Sequence, residues 1–468
     1  MDNVAGWIVQ GTVSLARLVP YKTWERGERL KILLVGYNGK RNTGADVRVV
    51  EMVRQFKKIL GEDHVEISIP TMNIDSIRVY YDNTVNLIKI STIYFKDLLD
   101  FCSKNQLSVI SEGSTLKSQF ANALTLYFCE AAGIMKKQNK PCIAYGSEAG
   151  RMDNFIRKIA SKTCSDTYFI ARTEASLKII NELGLKGHIG TDTAWTFPPA
   201  PKEWAERELR QKAKWDGKKP LVGIAVIDPW SYPVKPSILK TLRAIITRNW
   251  ENHYDKIYFF TASERQGKYP AYLKGIADAV NRFRAAYDVH PIVIGMDSTD
   301  FDACNDLNSL LDPPSTVFSS RFYDGHQLTS ILQSLDLLVT SRYHARVLSM
   351  AEGVPAIAVS LDERLYNLFN ECNQLEDYYL KVDEPELGEK LLSKMEKLWE
   401  NRDHLRREWR YHIPIYLKTM ADMGKFFRGF VEESFPGIKL AEEPKNWLGY
   451  LPELYESLKT TLEDDIRS

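Results

Sequence analysis

From Lys31 onward, short β-rich apolar runs alternate with longer amphipathic segments, and nothing else in the chain constrains its fold as strongly. A parallel sheet with crossover helices reads this way. In the first half the predicted strands are Lys31–Gly36, Val65–Ile69, Leu107–Ser111, Pro141–Gly146 and Thr167–Ala171. Helical spacing fills Ala45–Leu60 and Ser118–Gln138, with Val49, Met52, Val53, Phe56 and Leu60 on one stripe. The series then breaks. Phe197–Lys219 opens with Pro198, Pro199 and Pro201, continues as a charged helix over Glu203–Trp215 and ends in Asp-Gly-Lys-Lys-Pro, which is linker chemistry.

Beyond the linker the design repeats without sequence repetition. Strands are predicted at Leu221–Ile227, Lys256–Thr261, Pro291–Gly295, Leu335–Thr340 and Pro355–Ser360, with helices over Lys235–Trp250, Lys268–Ala286 and Leu328–Leu335. After Asp383 the chain is helical, with a long segment near Leu387–Arg410 and an aromatic, amphipathic end at Trp447–Ile466. A chain of 468 residues exceeds what one hydrophobic core supports, since single cores stop growing near about 250–300 residues. The expected division is an amphipathic arm over 1–30, a Rossmann-like domain over 31–200, a linker over 201–219, a second Rossmann-like domain over 220–430, and a helical segment over 431–468 that packs back across the junction. Two such α/β domains facing each other leave a cleft lined by the carboxyl ends of both sheets, so functional residues are sought just after strands.

Charge narrows the partners. Lys+Arg 62 against Asp+Glu 61 leaves a formal net charge of +1, which gives no overall field for nucleic acid; an anionic ligand has to be captured locally. The six cysteines are scattered without a C-x-x-C pair, as expected of reduced, buried thiols in a cytoplasmic protein. Trp7–Val19 is apolar but interrupted by Gln10, Gly11, Thr12, Ser14 and Arg17, too short for a membrane span and unlike a signal peptide. With Lys22, Arg26 and Arg29 behind it, this arm can lie on an anionic membrane, pack on the protein or meet another subunit of a homo-oligomer; the sequence leaves these open.

The strongest local signal is Leu337–Thr340 followed by Ser341-Arg342-Tyr343-His344-Ala345-Arg346, with Gly353 ending the ensuing helix. Arg342 and His344 thus stand where a strand gives way to a helix N-terminus. That position offers unpaired N–H groups, the positive end of the dipole and a planar guanidinium fork, a combination suited to carboxylate or phosphate. Beside a bound anion, His344 can hold its proton near neutral pH and act as a general acid. The alternative is structural: Arg342 pairing with a carboxylate and His344 capping the helix.

The first strand runs into Gly36-Tyr37-Asn38-Gly39-Lys40-Arg41-Asn42-Thr43-Gly44-Ala45-Asp46. Its glycines let a backbone approach a ligand, but their spacing matches neither a phosphate-binding P-loop nor a dinucleotide fingerprint. A plain strand-to-helix turn capped by Asn42 or Thr43 is the competing reading. Four further groups follow predicted strand ends, namely Ser111–Ser114, Tyr145–Gly150, Arg172–Ser176 and Thr191–Trp195; within them Arg172 and Asp192 can form a salt-bridged pair. Asp297, Asp300 and Asp302 lack the pattern of an EF-hand and read as a helix-capping run. The eight histidines are isolated, with no H-E-x-x-H, and no Gly-x-Ser-x-Gly elbow occurs, so no metal site is expected.

In order, Gly36…Asn42-Thr43-Gly44-Ala45-Asp46, Ala171-Arg172-Thr173-Glu174-Ala175-Ser176, Asp192-Thr193-Ala194 and Ser341-Arg342-Tyr343-His344-Ala345 resemble the landmarks of the polysaccharide pyruvyl transferase family, over about residues 31 to 361. The resemblance implies a fold like the B-type glycosyltransferases, with the acceptor on the first domain and the donor on the second. It also implies phosphoenolpyruvate as co-substrate, no other cofactor, and a sugar diol of a cell-surface or secreted glycan, free or lipid-linked, as acceptor. By motif position Arg342 and His344 inherit donor binding and proton transfer. Ser341, Arg172, Lys40 and Arg41 are placed by position as further donor contacts, and Asn42, Asp46, Glu112 and Ser147 on the acceptor side, with Glu112 or Asp46 as base. Ala45, Asp46 and Ser111-Glu112-Gly113-Ser114 depart from the family pattern, which leaves the acceptor open. The competing functions are a nucleotide-sugar glycosyltransferase on the same fold and a non-catalytic glycan-binding or assembly protein descended from such an enzyme.

Overall fold

The computed structural model describes residues 2–118, 121–231, 234–236, 258–260 and 265–467. Its first sheet has seven strands: β1 (Leu30–Val35), β2 (Val65–Thr71), β3 (Val85–Lys89), β4 (Leu107–Ile110), β5 (Cys142–Ser147), β6 (Thr167–Ala171) and β7 (Lys186–Ile189). Every pairing is parallel, in the order β3-β2-β1-β4-β5-β6-β7. Helices cover both faces, so β4 and β5 are buried along their whole length and read as continuous apolar runs.

After the linker come β8 (Leu221–Ala225), β9 (Val234–Pro236), β10 (Tyr258–Phe260), β11 (His290–Gly295), β12 (Thr316–Ser319), β13 (Leu337–Thr340), β14 (Ala356–Val359) and β15 (Tyr379–Leu380). Six of them form a second parallel sheet, β12-β11-β8-β13-β14-β15. β9 and β10 form a separate antiparallel pair, so the described part of the run predicted at Lys256–Thr261, Tyr258–Phe260, pairs outside the main sheet. The predicted helix over Lys235–Trp250 lies outside the described residues, apart from its first two positions, which belong to β9. The expected architecture of two Rossmann-like domains facing across a cleft is the one observed.

The linker carries the helix Lys202–Lys212. At the carboxyl side, helices Leu387–Glu400 and Arg402–Tyr411 precede a longer one, Ile413–Ser434, with Pro414 in its first turn. This last helix leaves the second domain and lies on the first. Phe427 stacks on Phe56 with ring centroids 4.0 Å apart, and Gln55 Nε2 donates to Met420 O at 3.0 Å and to Tyr450 O at 2.8 Å. The return across the junction therefore starts near Ile413 rather than at 431, because Met420, Met423, Phe427 and Val431 recur at helical spacing and meet the helix Thr43–Leu60.

Strand order locates the site. In the first sheet the chain leaves β1 for β2 and β3 on one side, then returns to β4 on the other; in the second, β8 has β11 on one side and β13 on the other. Such reversals open a crevice beyond the carboxyl ends of the strands. The loop 36–42 follows β1, Ser111–Ser114 follows β4, Met296–Asp300 follows β11 and Ser341–Arg342 follows β13.

Candidate active site

A cavity occupies that crevice. Gly36, Asn38, Asn42, Gly44, Glu112 and Ser114 line it from the first domain, and Asp297, Arg342, Tyr343, His344 and Arg364 from the second. The remaining wall is mainly apolar and mainly of the first domain, with Met72, Ile90, Leu124 and Tyr127 beside the hydroxyls of Ser91 and Thr92.

Arg342 is the N-cap of the helix Tyr343–Met350, in extended backbone conformation, and no side chain caps that helix. The guanidinium is held by Asp300, whose Oδ2 accepts from Nε at 2.8 Å and whose Oδ1 accepts from Nη2. Asp300 also accepts from the N–H groups of Met296 and Asp297, so the loop after β11 is tied to the loop after β13. Burial pushes the Asp300 carboxyl up to about 6, against the pull of Arg342. The aspartate run caps the turn as expected, Asp297 accepting from Thr299 N at 3.0 Å and Asp300 reaching back to Asp297 N at 2.9 Å; Asp300 grips Arg342 in addition, and Asp302 is exposed.

His344 follows two residues later, with Nε2 3.5 Å from Asp192 Oδ2, at the outer limit of a hydrogen bond. On its Nδ1 side the imidazole lies against Gly44, where any Cβ would overlap it. Burial pushes this imidazole below its ordinary pKa, and Asp192 pulls in the opposite direction.

Behind His344 lies a buried ion network. Asp192 meets Arg48 Nε at 3.2 Å and Arg172 Nη1, and Arg172 Nη2 in turn meets Glu148 Oε1 at 3.1 Å. Lys117 Nζ reaches Glu148 Oε2 at 2.5 Å. Burial alone would raise the Asp192 carboxyl, but Arg48, Arg172 and His344 hold it well below the usual carboxylate range. Lys117 also meets Glu363 Oε2 at 3.8 Å, so three cations (Arg48, Arg172, Lys117) face three carboxylates (Asp192, Glu148, Glu363), and with His344 neutral the network is balanced. Arg48 also donates to Ser111 O at 2.8 Å and Gly146 O at 2.6 Å, fastening the loop after β4 to the end of β5. The Tyr343 ring packs against the guanidinium groups of Arg172 at 4.8 Å and Arg364 at 5.6 Å.

Of the residues selected from sequence, Arg342, His344, Asn42 and Glu112 come together in the cavity. The other six lie elsewhere. Arg172 is the centre of the ion network, with Asp192 and Glu148 as its partners. Ser341 is buried, its hydroxyl donating to Val359 O at 2.6 Å and contacting Tyr272 OH at 2.7 Å, because it sits where β13 passes β14. Ser147 ends β5 and points its hydroxyl to Ile170 O at 3.4 Å; its neighbour Glu148 bears the charge that matters. Lys40 and Arg41 join the domains: Lys40 O accepts from Ser298 Oγ at 3.0 Å, Arg41 O accepts from Ser298 N at 3.1 Å, and Arg41 Nη1 donates to Ser320 O at 3.2 Å. Asp46 is buried beneath the loop, its carboxyl pushed up to about 8 by burial. Asn42 is the helix cap as well as a cavity residue: its Oδ1 accepts from Ala45 N at 3.0 Å and its Nδ2 donates to Asp297 Oδ2 at 2.6 Å across the cleft. The sequence reading missed Arg48 and Arg364, held Glu148 only within the group Tyr145–Gly150, and treated Asp300 only as a cap.

Two parallel-sheet domains with a cavity at facing strand reversals define a protein on the B-type glycosyltransferase plan. A putative UDP-N-acetylglucosamine 2-epimerase from Listeria monocytogenes shares this fold at a TM-score of 0.52 and 10% identity, over 89% of this chain and 100% of that one. A glycosyltransferase from Rickettsia africae does so at a TM-score of 0.52 and 9% identity, over 88% and 99%. At such identities the likeness speaks for fold alone. The model of the polysaccharide pyruvyl transferase family matches residues 42–363, and the chain belongs to that family. No curated protein sequence matches it.

Proposed function

We propose that the protein moves the pyruvyl group of phosphoenolpyruvate onto two hydroxyls of one sugar in a cell-surface or secreted glycan, forming a ketal and releasing phosphate. The observation that carries this reading is the clustering of Arg342, Arg364 and His344 in one wall of the cavity, at an uncapped helix N-terminus, with Glu112 and Asp297 also lining it.

The reaction adds a proton to the methylene carbon of the donor, which places positive charge on C2. One sugar hydroxyl bonds to C2, the C2–O bond to phosphate breaks, and the second hydroxyl closes the ring. Two hydroxyl protons leave the sugar; one balances the methyl group and the other the departing phosphate. His344 is the proton donor in this scheme. Burial keeps its imidazole below the ordinary value, and a bound anionic donor would reverse that, so protonation accompanies donor binding. Arg342 and Arg364 would hold the carboxylate and phosphate, beside the helix N-terminus that lies between them. Glu112, whose Oε1 accepts from Ser114 N at 3.2 Å, is the carboxylate positioned to take a hydroxyl proton.

Thermal shift and phosphate release, measured with phosphoenolpyruvate and with a panel of nucleoside diphosphates, in the presence and absence of glycans, test the reading. Stabilisation by phosphoenolpyruvate and acceptor-dependent phosphate release are expected. Stabilisation by a nucleoside diphosphate alone would replace it with nucleotide-sugar transfer, and saccharide binding without phosphate release would leave a non-catalytic glycan binder.

A further inference from the structure

The amino-terminal helix Asp2–Leu15 has two apolar faces, and the fold accounts for only one. Gly6, Val9, Val13 and Ala16 pack inward on the helices Asn122–Lys137 and Asn154–Thr163: a Cβ at Gly6 would overlap Phe155, and Val13 fills the space over Gly133. On the opposite side Val4, Trp7, Ile8, Leu15 and Leu18 form a stripe at spacings of three, four and seven residues, with Trp7 63% and Leu18 79% exposed. Leaving such a row in water is unfavourable, and its regular period separates it from scattered surface apolar residues.

The charge around this stripe is one-sided. Between Asn3 and Trp24 there is no acidic residue, while Arg17 and Lys22 are exposed. The two helices beneath add Lys136, Lys137, Arg157, Lys158 and Lys162. Across the three helices the acids are Asp2 and Glu130; Glu130 is buried, and burial pushes its carboxyl up to about 9, leaving it uncharged at neutral pH. Neighbouring elements supply Asp166 and Glu182, which meet Lys136 and Arg157, Asp153, which accepts from Asn122, and Asp100 on the helix Phe95–Lys104, which meets Lys104. Arg17, Lys137, Lys158 and Lys162 remain as a cationic border.

We infer that this face docks the protein on an anionic lipid surface, with the helix lying in the interface plane. An apolar stripe bearing tryptophan and edged by Lys and Arg is the pattern of an interfacial helix. No helix among the described residues is long and apolar enough to cross a membrane, so the contact is peripheral. A second copy of the chain fits less well: five apolar side chains on one helix fall well short of the roughly 20–30 residues a side in a stable interface, and cationic borders would face each other. Placement relative to the cavity follows from one contact. Asn122 Nδ2 donates to Asp2 Oδ2 at 2.8 Å, and its neighbours Ala121 and Ala123 line the cavity, so the helix begins at the cavity rim. Docking would bring that rim to the lipid surface, where a lipid-borne acceptor would present its sugar.

Flotation of the full chain with vesicles of phosphatidylcholine, with and without phosphatidylglycerol, tests this without donor or acceptor, so its outcome is independent of the pyruvyl reading. Binding to the anionic vesicles, a fall of about tenfold in bound fraction for Trp7→Ser/Ile8→Ser, and a similar fall at high salt are expected. Sedimentation velocity and circular dichroism accompany both proteins. Lack of binding by the native chain, undiminished binding by a folded variant, or a native dimer that the variant dissociates would each overturn the proposal, the last assigning the face to a second copy.

Discussion

The turn after β1 and the turn after β13 occupy equivalent places, each leaving a central strand at a strand reversal and entering a helix, yet they are built from opposite materials. Gly36, Gly39 and Gly44 dominate the first, and the side chains of Asn38, Arg41 and Asn42 bond to the protein around the turn; the second presents Arg342, Tyr343 and His344 to the cavity. The first turn joins the domains, through Thr43 N donating to Met296 O at 2.9 Å and Asn42 bridging to Asp297. It also leaves room for a side chain of the second, since the space that Gly44 does not fill is where the His344 imidazole lies. The arginines and the imidazole of the cavity wall therefore come from one domain, while the clearance for His344 and, through Asp192, its orientation come from the other. Neither turn makes a site without its counterpart.

The comparison breaks most sharply at His344. His344→Gln keeps a polar side chain of similar reach but removes the transferable proton, so turnover should fall by about 10²–10⁴ with the fold intact. Steady-state phosphate release together with circular dichroism checks this. A folded variant with native turnover would strip the second turn of its proton donor. Gly44→Ala attacks the same imidazole from the first turn without touching its chemistry. An added methyl must displace His344 from Asp192, and a misplacement of about 1 Å is enough to lower turnover by about 10². Native turnover in Gly44→Ala would show that the two turns act independently.

What the sequence made legible follows the same division. Wholly buried strands such as β4, β5, β13 and β14 announce themselves as apolar runs, and the triplet Arg342-Tyr343-His344 stands out because charge rarely follows such a run. The edge strands β3 and β7 pair on one side only, are partly exposed, and carry no comparable signal. Arg48 was illegible for a different reason. On an amphipathic helix a lone arginine reads as solvent-facing, but the helix Thr43–Leu60 is covered on one side by the first sheet and on the other by Ile413–Ser434, so its polar row Arg48, Glu51 and Gln55 is buried as well. Selecting Ser147 rather than Glu148 was a one-residue slip at a strand end, where Gly146 takes a positive φ and the register with β6 shifts. No local pattern could have marked Arg364, which opens a helix after β14 and reaches the cavity only through the tertiary arrangement.

Asp46 sharpens the comparison from beneath the first turn. Its carboxyl titrates near 3.8 when unfolded and is pushed up to about 8 in the fold by burial, with the Gly39 N–H opposing the shift. The folded state thus holds a proton that the unfolded state has lost across that window, and stability falls as pH rises through it, by at most about 1.4 kcal/mol per pH unit. The stability is fully present below the unfolded value and the decline ends above the folded one. Asp46→Asn removes this slope, so the variant should gain on the native chain between pH 5 and pH 7 in chemical denaturation. An equal pH dependence in both proteins would mean that Asp46 is charged in the fold and interacts with the basic residues of its loop.

Arg342→Lys makes the mildest change and asks whether the second turn needs a fork or only a charge. Asp300 engages both Nε and Nη2 of the arginine, which fixes the plane of the guanidinium at the cavity wall. A lysine keeps the positive charge but can neither span both Asp300 oxygens nor present a flat, two-point donor edge. Loss of one charge-assisted hydrogen bond to an anion is worth about 1.4 kcal/mol, a tenfold weakening of phosphoenolpyruvate binding by calorimetry. Because Asp300 also holds the loop after β11, a modest drop in melting temperature should accompany it. Arg364→Lys separates the two effects, since Arg364 pairs with Asp362 on its own helix rather than across loops, and its substitution should weaken the donor with less cost to stability. Unchanged affinity in both variants would shift donor recognition from these side chains to the uncapped helix N-terminus between them.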